Sequence, residues 1–126
     1  MDKRVADGLS LYRQGRCEDA FCLLSGAGQE ITELVAAFRG ESDGPCRAFL
    51  VEVIWQHRQQ SAVPFLTEAL SDPDDAVWRQ ALDGLVTLAS PESLAALRIA
   101  RESRDDTFRE WIDEAIEQVE GYLTNQ

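Results

Sequence analysis

Side chains able to carry catalysis are few in this sequence. His57 is the single histidine, which rules out a histidine pair working as acid and base or a His-rich metal site. It falls on the apolar stripe of its helix at the C-terminal turn, where an imidazole satisfies end carbonyls, and it is read as structural. Cys17, Cys22 and Cys46 form neither a CxxC pair nor an even disulfide set. On a helical wheel Cys17 and Cys22 stand about 140° apart, so they do not share a metal ion. All three are expected to be buried thiols of a reducing cytosol. Asp72, Asp74 and Asp75 start like a calcium loop but lack its alternating ligands and closing Glu. No HExxH, P-loop, GxSxG or Gly-rich dinucleotide turn is present. Carboxylate pairs abound, but on exposed helix faces, where they are solvated rather than poised for proton transfer. Neither catalysis, nor a metal, nor a cofactor is expected.

Charge says more than motifs do. Twelve Lys and Arg face 23 Asp and Glu, a formal net charge of −11, and such a surface repels phosphate backbones. Nucleic acid is therefore not an expected ligand. The excess acid either steers a basic protein partner toward the surface or serves solubility alone. A hydrophobic fraction of 44% over 126 residues supports one folded domain without metal or disulfide help. The start MDKRVADGLSLYRQGR has no apolar run resembling a secretory signal, and no stretch approaches the roughly 18 apolar residues of a membrane span. A cytoplasmic protein with no membrane partner is expected.

The elements that carry these residues show themselves when the chain is aligned with itself. A shift of 32 pairs Leu70 with Phe38, Asp75 with Asp43, Arg79 with Arg47, Leu82 with Leu50 and Val86 with Ile54. A shift of 30 pairs Asp75 with Asp105, Trp78 with Phe108, Arg79 with Arg109, Leu82 with Ile112 and Val86 with Ile116. Copies at such a period are the mark of a repeat architecture. Each copy holds two helical patterns. Second helices follow apolar spacings of three and four: Cys46, Phe49, Leu50, Val53 and Ile54; Val77, Trp78, Ala81, Leu82, Leu85 and Leu88; Phe108, Trp111, Ile112, Ala115, Ile116 and Val119. First helices span roughly 30–39, 61–71 and 92–102. Asp43-Gly44-Pro45, Ser71-Asp72-Pro73-Asp74 and Ser90-Pro91-Glu92 mark helix starts, through capping and the exclusion of proline from helix interiors. No segment alternates as a strand does.

In each copy an Asp precedes an Arg by four residues: Asp43 and Arg47, Asp75 and Arg79, Asp105 and Arg109. These six are expected to form a structural ladder, each Arg reaching its own Asp or the counterpart in the next repeat.

Residues 72–85, DPDDAVWRQALDGL, followed by SPESLAAL at 90–97, resemble the HEAT-like repeats of the phycobilisome-lyase type. The likeness is good for 61–97, fair for 98–123 and weak for 30–60. Trp78 stands where that family often has Arg, and Gly84 interrupts its run of helix formers. Ala6, Leu9, Tyr12, Gly15, Ala20 and Leu24 resemble the opening hairpin of a tetratricopeptide unit. The expected fold is all-α: a short right-handed α-α superhelix of about four hairpins, HEAT-like. Residues 2–27 form a capping hairpin, and 30–60, 61–90 and 91–123 are the repeats.

Helical solenoids bind on the surface lined by their second helices, and the resemblance implies the same. Three columns follow: Arg47, Val51 and Trp55; Arg79, Asp83 and Thr87; Arg109, Asp113 and Glu117. Partner contact is expected through Val51, Trp55, Asp83 and Thr87, and through Glu110, Asp113, Glu114 and Glu117 of an acidic stripe that continues to Glu120 and is opposed only by Arg109. Trp55 is either an exposed anchor or packed under the preceding hairpin. The stripe is either an interface or a solvated terminal helix. The function expected is a binder that neutralises or chaperones a basic protein, such as an immunity protein or antitoxin against a bacterial nuclease-like toxin. The alternative is an adaptor or scaffold gripping a peptide or helix in its concave face. A lyase-like enzyme would need a reactive side chain that the sequence does not offer. A monomer is expected, or a weak homodimer through Tyr122 and Leu123.

Overall fold

In a computed structural model, residues 1–125 are described, and among them the chain is all helix and connection. It runs α1 Lys3–Arg13, α2 Cys17–Leu24, α3 Ile31–Gly40, α4 Gly44–Gln56, a short 3-10 turn Gln60–Ala62, α5 Val63–Ala69, α6 Asp75–Leu88, α7 Pro91–Ala100 and α8 Asp106–Thr124. The chain is an all-α solenoid of helical hairpins, as the repeat spacing predicts.

Helix starts are set by local chemistry. The carboxylates of Asp2, Asp43, Asp74 and Asp105 accept from the backbone N–H groups of Val5, Cys46, Ala76 and Phe108, and the Ser90 hydroxyl accepts from Ser93. Each cap satisfies a first-turn donor that has no partner within the helix. Proline stands in the first turns of α4, α5 and α7, where its missing N–H costs nothing. Between α1 and α2, Gly15 turns the chain at φ +81°, a left-handed conformation that favours glycine.

The hairpins pack through their second helices. α4 lies most extensively against α6, and α6 lies against α8. Leu50, Val53 and Ile54 from α4, Leu66 and Leu70 beside them, Leu85 from α6, and Ile112 and Val119 from α8 are all enclosed in one continuous core. His57, just past the end of α4, donates from Nε2 to the carbonyl of Leu24 at 3.0 Å. The imidazole thereby satisfies the C-terminal turn of a different helix, α2.

The Asp–Arg ladder takes another form. Asp43 and Asp105 spend their carboxylates on capping, and Asp75 accepts from Trp78 Nε1 at 2.9 Å. A capping aspartate folds back over its own first turn, so it does not reach forward to the residue four positions on. Arg47 instead crosses to Asp72 in the loop between α5 and α6, with Nη1 on Oδ1 at 3.1 Å and Nη2 on Oδ2. Arg109 Nε donates to the Arg101 carbonyl at 3.1 Å. Arg79 lies over the rings of Trp78 and Trp111. The third repeat is tied back by Arg104, which donates to the carbonyls of Leu70 at 3.1 Å and Asp72 at 3.0 Å. Residue 72 thus receives an arginine from each side.

The cysteines also divide. Cys46 is buried, but Cys17 and Cys22 are exposed, because α2 lies at one end of the stack and is covered on one side only.

Candidate protein-interaction site

The helices α4, α6 and α8 enclose an open groove of about 330 Å³. One wall is α6, presenting Asp83, Val86 and Thr87, and the facing wall is α8, presenting Trp111, Glu114 and Gln118. Trp55 of α4 completes it. The groove therefore joins two indoles to a carboxylate on each wall.

Trp55 is half-buried and leans onto the following repeat rather than under the preceding hairpin. Its Nε1 donates to Gln80 Oε1 at 3.0 Å. Gly84 makes room for it, since a Cβ there would stand 2.7 Å from the Cβ of Trp55. Asp83 is open to solvent on one side, yet burial against the groove wall pushes its carboxyl above its ordinary value. A carboxyl in that position gains from a cation placed beside it. The Thr87 hydroxyl donates to the Asp83 carbonyl at 2.8 Å, so Thr87 contributes mainly its methyl group.

The other expected contact residues lie elsewhere. Val51 is 0% exposed and does not belong to any surface. The reason is that α4 is enclosed on several sides: Cys46, Ala48, Leu50, Val51, Val53 and Ile54 are all buried, as in a helix that is apolar nearly all round. Glu110, Asp113 and Glu117 are exposed on α8 but do not line the groove. Two acids of that helix have arginine partners from the α7 side: Asp113 with Arg101 at 2.5 Å and Glu120 with Arg98 at 2.7 Å. The hydrogen bond from Arg101 holds Asp113 below its ordinary pKa. The stripe is thus less bare than a lone opposing Arg109 implies, and Glu114 is its acid that lines the groove.

Trp111 is the residue that periodicity misplaces. It shares the spacing of the core stripe, yet 44% of it is exposed. Its neighbour Ile112 points inward at 0% exposure. Adjacent residues differ by about 100° around a helix, and here Trp111 is the one that falls at the margin of the stripe. Adjacency alone does not mark it in the sequence, since Val53 and Ile54 are adjacent and both buried.

Among the described residues no group of three or more His, Cys, Asp and Glu side chains is placed to hold a metal ion. No described helix is long and apolar enough to cross a membrane.

Stacked helical hairpins with an apolar groove rimmed by charge define an α-solenoid interaction module. A family model for HEAT repeats matches residues 31–117, and the chain belongs to the HEAT-repeat family. HEAT repeats generally mediate protein–protein binding, and the family is typically a non-enzymatic scaffold. No curated protein and no solved structure matches the chain.

Proposed function

We propose that this protein is a stoichiometric binder of a basic protein, held in the groove between α6 and α8. The observation that carries the reading is the pairing of two indoles, Trp55 and Trp111, with two carboxylates, Asp83 and Glu114, around one groove. Aromatic faces attract cationic side chains, and a carboxylate on each wall supplies the counter-charge. The net charge of −11 would steer such a partner over a distance of about one Debye length. The role that fits best is neutralisation or chaperoning of that partner, as by an immunity protein or antitoxin against a bacterial toxin. In the same reading residues 2–27 act as the end cap, and the repeats keep the phycobilisome-lyase-type pattern.

The adaptor reading, a peptide or helix gripped mainly by apolar contact, draws support from Trp111, since exposed tryptophan is a frequent interface anchor. The two differ in what charge does. Capture from native lysate on the wild type, on Trp111→Ala and on the Asp83→Lys/Glu114→Lys pair separates them. The neutralising role expects one basic protein retained in near-equal amount and released by salt, lost with either variant. A partner that survives the charge reversal and a salt wash but not Trp111→Ala supports the adaptor. Unchanged capture by all three baits would sink both.

A further inference from the structure

We infer that Arg79, stacked on Trp111 beside the groove, receives an acidic side chain of the partner, so that the bound segment carries a carboxylate as well as its cations. The inference rests on the groove reading above. Its basis is a contrast among arginines. Arg4, Arg13, Arg16, Arg39, Arg47, Arg98, Arg101, Arg104 and Arg109 each donate to a carboxylate or a backbone carbonyl. Arg58 and Arg79 are exposed and have no side-chain hydrogen bond or ion pair among the described residues, and of these two it is Arg79 that lies over aromatic rings beside the groove. Arg79 is thereby held in place, its guanidinium 4.9 Å from the Trp111 ring centre and 5.4 Å from that of Trp78.

The missing acceptor has a cause in the repeat. Arg47, its equivalent one repeat earlier, stacks on Phe38 at 4.5 Å and pairs with Asp72. The shift of 30 that carries Asp75 to Asp105 places Glu102 at the position of Asp72, and that carboxylate pairs with Arg101 rather than with Arg79. Asp75, one turn before Arg79, already accepts from Trp78. None of the five guanidinium N–H donors of Arg79 meets an acceptor among the described residues.

A partner that covers Trp111 also covers Arg79, because the two are stacked. Burying that cation without an acceptor is costly, so the complementary surface supplies one. A carboxylate matches the planar fork best, with two parallel charge-assisted bonds. The result fixes the partner's register: cations against Asp83 and Glu114, an anion one helical turn away at Arg79.

The test uses blocked peptides Ac-Arg-(Ala)n-Asp-NH2, with n from zero to four, in both residue orders, each against its Asn counterpart. Binding is read from the indole N–H resonances of Trp55 and Trp111. The Asp peptides are neutral and the Asn peptides cationic, so net charge alone favours Asn against this acidic protein. At a spacing that spans the groove and Arg79, the Asp peptide is expected to bind about three- to tenfold tighter. That preference is expected to vanish in Arg79→Gln. Equal or tighter binding of the Asn peptide at every spacing overturns the inference, as does an Asp preference that persists in Arg79→Gln. If no peptide moves either indole, the groove reading fails and this inference falls with it.

Discussion

Gly84 of α6 lies directly against Trp55 of α4: a Cβ on Gly84 would stand 2.7 Å from Trp55 Cβ and 3.0 Å from Leu66 Cδ1. Trp55 Cβ and Cγ, at 2.7 and 2.8 Å, are bonded to the backbone or one bond further out, so a rotamer change does not clear them. A glycine inside a helix costs about 1 kcal/mol relative to alanine. Here that cost is offset by the close approach of α4 and α6, the most extensive helix pair of the stack.

Gly84→Ala is therefore expected to destabilise the protein by about 1–3 kcal/mol despite its better helix propensity. Gly121→Ala is the control, because a Cβ at Gly121 meets nothing within 4 Å. It should be neutral or stabilise by up to about 1 kcal/mol. Urea denaturation of the two variants reads the difference. Equal gains at both positions would mean that α4 and α6 are not in close contact at Gly84.

This pair also shows how far the sequence could be read. The fold was legible because the spacing of Leu50, Ile54, Leu82, Ile112 and Val119 has one physical explanation, a repeated buried helix face. Gly84 looked like a fault in the pattern, since its reason, Trp55, belongs to the preceding repeat. The site was legible in part. Trp55, Asp83, Thr87 and Glu114 meet in one groove, while Val51 is interior and Trp111 is on the surface. Periodicity gives the direction of a side chain from its helix axis but not what stands opposite. Val51 is covered because neighbouring helices enclose α4, and Trp111 is open because it sits at the edge of its stripe.

The Arg47–Asp72 ion pair sets an acid limit on stability. Burial pushes the Asp72 carboxyl up, but the Arg47 guanidinium, the N–H of Asp74 and the charge of Arg104 outweigh it and hold the pKa below its ordinary value. Glu41, which accepts from the backbone N–H of Asp43 and pairs with Arg13, is lowered too. A lowered carboxyl contributes stability above its unfolded pKa and loses it as pH falls through the folded value. Wild-type stability should therefore fall below about pH 4. Asp72→Asn should cost about 1–3 kcal/mol at neutral pH, and the gap to wild type should narrow as the solution is acidified. Urea titrations between neutral pH and about pH 3 measure it. A gap that stays constant with pH would assign the loss to packing rather than charge.

Thiol reactivity should split two to one. Cys17 and Cys22 line an open hollow of about 410 Å³ with Phe21 and Phe49, so neither is shielded from reagent. Burial and the neighbouring Glu41 carboxylate push Cys46 up to about 12. Its reactive thiolate is then scarce at pH 8, quite apart from access. Labelling with a maleimide at pH 8 should modify two thiols quickly and the third only on unfolding. Cys46→Ser should leave the fast count unchanged, and a third fast thiol in the wild type would contradict the burial of Cys46.

Trp55 and Trp111 should separate binding from folding. Trp111 is 44% exposed and packs on one side only, against Trp78 and Arg79. Trp111→Ala should therefore change stability by less than about 1 kcal/mol. Trp55 packs on α6 and donates to Gln80, so Trp55→Ala should cost about 2–4 kcal/mol in stability. In affinity both should lose about thirtyfold, the size of an interface anchor. Urea denaturation of each variant, paired with titration of the captured partner, gives both quantities. A Trp111→Ala protein that folds as the wild type and binds as the wild type would remove the indole from the interface. Affinity lost only in proportion to unfolding, for both variants, would show that the groove supports the fold and that the partner is held elsewhere.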